Sequence, residues 1–313
     1  PLYPALRTAL ETLRQRLPDA RAYALDLIHR LERTAGDAHR LFEEMDFRFL
    51  YDPRRKLIRT GYDAGAGTLD HSCYDLLASE ARCAVFLAIA KGDVPREAWF
   101  RLGRKLTAYR NTRTLISWSG TMFEYLMPLL HMRNYENTLL DQAARGAVRI
   151  QQIYGRERNV PWGISEAAYA VRDSEMQYQY RAFGIPALSA RPDRHDSLVV
   201  APYATMLALQ VDPVRSTANL RLLAANGWLR RHGFYESLDY SAGGSPHAPA
   251  VVRCFMAHHQ GMGLLAIDNA LFGGRMQERF HQDPLVLATE FLLQERMPVL
   301  VEVEAEEERA ATA

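Results

Sequence analysis

Apolar positions along the chain recur mainly at helical spacing. Leu6, Leu10, Leu13 and Leu17 predict a first helix opened by Pro4. Pro18-Asp19 predicts a break, Ala24, Leu27, Ile28 and Leu31 a second helix over 20–33, and residues 37–45 a third. At 46–70 the pattern changes. Phe47, Phe49, Leu50 and Tyr51 precede Asp52-Pro53, and Gly61, Gly65 and Gly67 follow, which predicts a short β-hairpin or an irregular loop. Ser72 is placed to cap a long helix to about Lys91, apolar almost all round, stopped by Gly92-Asp93 and Pro95. Further helices are predicted around Trp99–Leu106, over 122–132, over 137–154, from Ala201-Pro202 to Gln210, from Pro213 to about Leu229, and over 251–272, with two more beyond. Pro161-Trp162-Gly163-Ile164-Ser165-Glu166 predicts a further helix start, with Ser165 as cap and Glu166 in the first turn. There the helix dipole would favour an ionised carboxylate.

The recurring unit is a helix, a polar or aromatic-rich loop, and another helix, without a repeat of fixed period. An all-α chain of this kind predicts an α/α toroid, in which an inner ring of helices carries the site. The expected domains are an N-terminal helical segment at 1–45, the toroid at 46–298, and an acidic tail or linker at 299–313. The initial Pro and the terminal run of Glu suggest a piece of something larger.

Composition narrows the function. The 313 residues are 48% hydrophobic, enough for a sizeable core, and the net charge of +1 gives no electrostatic case for nucleic acid. No apolar run is long enough to cross a bilayer, so no membrane insertion by this segment is expected. Cys73, Cys83 and Cys254 have no metal-like spacing and predict free thiols. His258 and His259 are adjacent, so on a helix they point about 100° apart and suit one metal ion poorly. Gly65-Ala66-Gly67 lacks the frame of a nucleotide site. No metal or cofactor is expected.

Candidate chemistry rests on acids set among aromatic or apolar residues: Glu80, Glu124, Glu166 and Glu236. Glu80, inside the apolar helix predicted after Ser72, has no basic neighbour at helical spacing. Burial would raise its pKa toward that of a general acid. A structural Glu bonded to a basic residue of another helix explains it equally well. Two carboxylates in different environments are the usual machinery of glycoside cleavage or transfer.

Several segments together resemble one family. Tyr74-Asp75-Leu76-Leu77-Ala78-Ser79-Glu80-Ala81-Arg82, Ala90-Lys91-Gly92-Asp93-Val94-Pro95, Ile116-Ser117-Trp118-Ser119-Gly120, Phe123-Glu124-Tyr125-Leu126-Met127-Pro128, Pro161-Trp162-Gly163-Ile164-Ser165-Glu166, Val200-Ala201-Pro202-Tyr203-Ala204 and Met256-Ala257-His258-His259-Gln260-Gly261-Met262 resemble the glycoamylase-like central domain of cyclic β-1,2-glucan synthases. The likeness runs from about Phe47 to Arg296. Cys73 departs from it, standing where an aromatic is usual.

The resemblance implies an (α/α)6 toroid and a retaining transglycosylase that cuts linear β-1,2-glucan and joins its ends into a ring. It also implies partner domains in a full-length protein, a glycosyltransferase and a phosphorylase-like domain. The segment itself would be soluble, on the cytoplasmic side of a bacterial inner-membrane protein. Hydrolytic relatives lack an acid at the position of Glu166, which ties that residue to ring closure. On this reading Glu166 attacks the anomeric carbon and Glu80 is the acid/base, with Glu124 in reserve for either role. Trp118, Trp162, Tyr74 and Tyr235 line sugar subsites, and Asp70, Arg82, Glu236, His259 and Gln260 supply hydrogen bonds. An inverting endo-β-1,2-glucanase and a non-catalytic glucan-binding module stay open as alternatives.

Overall fold

In the computed structural model the chain divides into two compact units, Pro1–Phe49 and Leu50–Ala313, of which residues 2–191, 197–242 and 248–296 are described. The predicted acidic tail therefore lies outside the described residues, as does 243–247 of the Gly/Pro-rich loop. The first unit is dominated by one helix, α1 (Leu2–Glu44), where the sequence predicted three. Pro18 sits inside it. A proline there gives up one hydrogen bond and crowds the preceding turn, a cost of about 3 kcal/mol. The Ala, Leu, Arg and Glu that fill most of this 43-residue stretch are strong helix formers and carry the helix through.

The second unit opens with two hairpins in the region predicted to hold one: β1 (Tyr51–Asp52) with β2 (Leu57–Ile58), and β3 (Tyr62–Asp63) with β4 (Thr68–Leu69). Asp52 closes the first turn by accepting from the backbone N–H groups of Arg54 and Arg55, and pairs with Arg59 at 2.8 Å. The long helix predicted from Ser72 is absent. Residues 72–81 are irregular, and only α2 (Arg82–Ala90) is helical. The Tyr74 N–H bonds to Ile58, Leu77 and Gly103 exchange bonds with each other's neighbourhood (Leu77 N to Gly103 O, Gly103 N to Asp75 O), and Leu77 and Ala78 are 1% exposed. The apolar run is thus a buried extended segment, which short periodicity does not distinguish from a buried helix.

Beyond α3 (Glu97–Arg101), a hairpin of β5 (Leu106–Tyr109) and β6 (Thr112–Leu115) leads to α4 (Met122–Leu126). A 3-10 turn, Met127–Leu130, follows α4, so the helix predicted over 122–132 is tighter in its second half. The amphipathic stretch forms α5 (Leu139–Glu157), capped by the Thr138 side chain. A hairpin of β7 (Ala167–Arg172) and β8 (Tyr178–Arg181) stands where a helix was expected after Ser165. Strand β9 (Val199–Val200) precedes α6 (Pro202–Leu207) and α7 (Pro213–Ala225), the latter capped by Asp212. The hairpin of β10 (Leu229–Arg230) and β11 (Gly233–Phe234) then leads to β12 (Ser237–Asp239), which pairs on one side with β9 and on the other with β13 (Ala250–Val252). Helices α8 (Ala257–Leu271), α9 (Arg275–Phe280) and α10 (Pro284–Thr289) complete the described chain.

In this unit helices hold more of the described residues than strands do, and the strands are short and antiparallel. The core joins α2 and α3 through Phe86 and Trp99, edge to face at 6.2 Å, and continues through Leu126, Ile150, Ile164 and Leu207, all at 0–1% exposure. No helix among the described residues is long and apolar enough to cross a membrane.

Candidate active site

A cleft of about 680 Å³ is lined by Glu80, Glu124 and Glu166, with Tyr74, Asp75, Trp118 and Arg191 among the remaining walls. Three carboxylates from three distant segments thus meet in one cavity, and each is held differently.

Glu166 ends the turn that begins at Trp162. Gln151 clamps this turn from α5, accepting from the Ile164 N–H and donating to the Ile164 carbonyl, both at 2.8 Å. Gly163 has φ +124°, and a Cβ there would sit 2.8 Å from Thr205 Oγ1, so only glycine fits without strain. Ser165 caps no helix of its own. Its Oγ accepts from the Phe123 N–H at 3.0 Å, in the first turn of α4, and lies 2.8 Å from Tyr203 Oη. The residues after Glu166 extend because Ala167 and Ala168 are fully buried and pair with Arg181 and Tyr180. The expected helix dipole behind Glu166 is therefore missing. Burial instead pushes its pKa up. The hydroxyl of Tyr180, which donates to Oε1 at 2.7 Å, pulls it down; the charge of Glu80 raises it and that of His259 lowers it.

Glu80 stands in the turn ahead of α2, half-buried rather than inside an apolar helix. Its one hydrogen bond given by the structure comes from Ser79 Oγ at 3.2 Å. The turn is tied down by Arg82. That guanidinium is buried and donates to the carbonyls of Ser79 (3.2 Å), Glu124 (3.0 Å) and Tyr125 (2.8 Å). Arg82, expected to touch substrate, is instead a strut between this turn and α4. Burial lowers its pKa to about 10.

Glu124 is saturated. Thr121 and Glu124 form the capping box of α4. The carboxylate accepts from Ser117 Oγ and from the N–H groups of Ser119 and Thr121, each at 2.9 Å, and from Thr121 Oγ1 at 3.2 Å. A carboxylate has about four acceptor positions, so little remains for a ligand. Burial raises its pKa, and those bonds oppose the rise.

Of the predicted aromatics, Tyr74 and Trp118 line the cleft, and the Arg191 guanidinium covers the Trp118 ring at 4.6 Å. Trp162 is not at this cleft. It is 9% exposed and lines a separate depression of about 560 Å³ with Arg156, Arg215 and Leu222, because Gly155 and Val160 of the α5 end hold it there. Tyr235 packs on Phe255 (5.5 Å), and the Gln260 amide donates to the Phe234 carbonyl; neither lines the cleft. Asp70 accepts from Thr60 Oγ1 at 2.9 Å outside the lining, though Thr60 itself is part of it. Glu236 and His259 are buried and bonded to each other at 2.9 Å, away from the cleft wall.

Sequence reasoning passed over Asp75, Arg55, Arg191 and Tyr180. Asp75 lines the cleft with Oδ1 buried and unpartnered, and burial raises its pKa. Its signal was available, an acid within the Tyr74-Asp75-Leu76-Leu77 run, but the helical reading turned it away from Glu80.

Residues 72–284 match the model of the glycoamylase family ("Putative glucoamylase"). The chain is 43% identical over 292 residues to the cyclic β-(1,2)-glucan synthase NdvB of Rhizobium meliloti (strain 1021), covering 93% of this chain but only 10% of NdvB. Among solved structures, an endo-β-1,2-glucanase from Chitinophaga pinensis in complex with sophorotriose and glucose superposes with a TM-score of 0.63 at 15% identity, over 84% of this chain and 65% of that one. A β-1,2-glucanase from Parabacteroides distasonis gives 0.61 at 14% identity, over 82% and 40%. The family match spans more than half of the sequence and all three cleft carboxylates, and the chain belongs to the glycoamylase family.

Proposed function

We propose that the chain is a carbohydrate-active enzyme that processes β-1,2-glucan, and that it does so as a retaining transglycosylase closing linear glucan into rings. The observation that carries this reading is the division of labour among the cleft carboxylates. Glu124 is saturated by its capping bonds, which leaves Glu166 and Glu80 as the acids able to meet a sugar. Glu166 receives a hydrogen bond from Tyr180, which favours the ionised form that attacks. Its oxygen attacks the anomeric carbon, the glycosidic C–O bond breaks, and Glu80 gives its proton to the departing oxygen. The 2-hydroxyl at the far end of the same chain then attacks the glycosyl ester. Glu80 takes the hydroxyl proton, Glu166 leaves as carboxylate, and the ring closes.

The family membership and the 43% identity to NdvB support the glucan assignment. The likeness to structures of that fold supports an (α/α)6 toroid over roughly 46–298, with residues 1–45 as a separate helical segment. By the same relationship the chain would act beside glycosyltransferase and phosphorylase-like domains of a larger inner-membrane protein. The β-1,2-glucanases of the same fold favour a second reading, a hydrolase. Incubating the 313-residue chain with linear β-1,2-glucan and weighing the products separates the two. Rings appear one water lighter than linear chains of the same length, whereas a hydrolase leaves short linear sugars. Ring formation at full rate by Glu166→Gln would remove the proposed nucleophile.

A further inference from the structure

Behind Glu166 runs a row of polar groups of which the proposed reaction uses only the first, the Tyr180 hydroxyl. Tyr180 Oη lies 2.7 Å from Glu166 Oε1 and 3.2 Å from His259 Nε2. His259 Nδ1 lies 2.9 and 3.0 Å from the two carboxylate oxygens of Glu236. The His259 and Glu236 side chains are 0% and 1% exposed. Glu236 is held by the Ala168 N–H at 3.2 Å, on the strand that leaves Glu166. The Tyr203 ring lies flat on His259 at 3.7 Å, and its hydroxyl donates to the Glu166 carbonyl.

Counting protons limits these bonds to two arrangements. An ionised Glu236 only accepts, so Nδ1 donates to it. The single phenolic proton of Tyr180 goes either to Glu166 or to Nε2. If it goes to Glu166, Nε2 must carry a proton of its own and donate to Oη, and the ring is an imidazolium. If it goes to Nε2, the ring is neutral and Glu166 must itself be protonated to bond Oη. The two arrangements hold the same number of protons. One becomes the other when Nε2 gives its proton to Oη and Oη gives its own to Oε1, without exchange with solvent. The Tyr180 hydroxyl lies closer to Glu166 Oε1, at 2.7 Å, than to Nε2, at 3.2 Å, and donates to the carboxylate, which is the arrangement in which Glu166 is an anion with a donor.

We propose that Tyr180, His259 and Glu236 are a positioning relay that aims the Tyr180 hydroxyl at Glu166 and holds Glu166 as the attacking anion. The proposal rests on Glu166 being the nucleophile. The other titratable groups around the row include Glu80, whose charge opposes ionisation of Glu166; Tyr203, stacked on His259; His258, whose ring lies 4.0 Å from that of His259; and Cys254, whose thiol is pushed up by burial and by the charge of Glu236.

The test is the pH dependence of ring formation by the 313-residue chain carrying Tyr180→Phe, Glu236→Gln, or both. Tyr180→Phe should lower kcat by about ten- to one-hundredfold, the worth of one hydrogen bond to a charged group. KM should stay within about twofold. The acidic limb should move to higher pH, because a carboxylate that loses a donor is easier to protonate. Glu236→Gln, two bonds further back and isosteric, should shift the same limb in the same direction, and the double variant should be no worse than Tyr180→Phe alone. A wild-type limb in either single variant, or additive losses in the double, overturns the relay. If Glu236→Gln loses its near-UV dichroism, the limb of Tyr180→Phe alone decides. Glu166→Gln assayed alongside separates the two levels. Activity retained there removes the nucleophile, whereas an inactive Glu166→Gln with wild-type limbs in the other variants removes only the relay.

Discussion

The turn that presents Glu166 has little room to change, and Gly163→Ala measures how little. At φ +124° an alanine occupies a region open almost only to glycine, a strain of about 1–3 kcal/mol. Its Cβ would meet Thr205 Oγ1 at 2.8 Å and the Ala201 carbonyl at 3.2 Å. Thr205 cannot retreat freely, because its hydroxyl donates to the Trp162 carbonyl at 3.1 Å and accepts from Asn219 at 2.9 Å. Losing both bonds adds about 0.5–1.5 kcal/mol each. The total, about 2–6 kcal/mol, corresponds to a fall in Tm on the order of 10 °C for a unit of this size. Gly261→Ala, in α8 with nothing within 4 Å of the added Cβ, is the control. It should be neutral or stabilising by up to about 1 kcal/mol, as for alanine replacing glycine within a helix. Thermal unfolding followed by circular dichroism gives both values. A Gly163→Ala protein melting within about 2 °C of wild type would refute the account of this turn as a clamped, glycine-only conformation.

Arg82→Met should destabilise by about 3–5 kcal/mol, since three buried carbonyls lose their donors at once; denaturant titration measures it. Glu124→Gln and Glu80→Gln should separate stability from activity. The first sets an amide against N–H donors already aimed at an anion and lowers Tm, whereas the second leaves Tm nearly unchanged and abolishes ring formation. Glu166→Gln should raise stability at neutral pH. The folded-state pKa of Glu166 is raised above its ordinary 4.5, so its favourable contribution is complete below that value and is lost as pH rises through the folded pKa. An amide avoids the loss. The gain in Tm should be present at pH 7 and vanish as pH falls below the unfolded value; a gain that grows on acidification would contradict the sign.

Much of the site was legible because local chemistry marked it. An acid beside Trp162-Gly163 and an acid after Tyr74-Asp75-Leu76-Leu77 stood out, and the two do share a cleft. Their supports were not legible. Ser165 has the side chain of a helix cap, and it does bond a helix N–H, but the helix is α4, forty residues earlier in the chain. An apolar run at 76–90 satisfies helix and buried extended chain alike, and only the bonds to Ile58 and Gly103 decide that its first part is extended. The hairpins of β5–β6 and β7–β8 escaped because their strands are short and strand preference is set by what the side chains pack against. Pro18 misled in the opposite direction, since a break rule weighs one residue and a helix sums over many.

One short element has a wider consequence. Helix α4 donates its first N–H groups to the Ile164 carbonyl and Ser165 Oγ, while its carbonyls at Glu124 and Tyr125 accept from Arg82. The turns bearing Glu166 and Glu80 are therefore fastened to opposite ends of the same five-residue rod. The rod ties the two acid-bearing turns to one element, so a change that frays α4 reaches Glu166 and Glu80 together, whereas Trp118, Arg191 and Arg55 line the cleft without belonging to it.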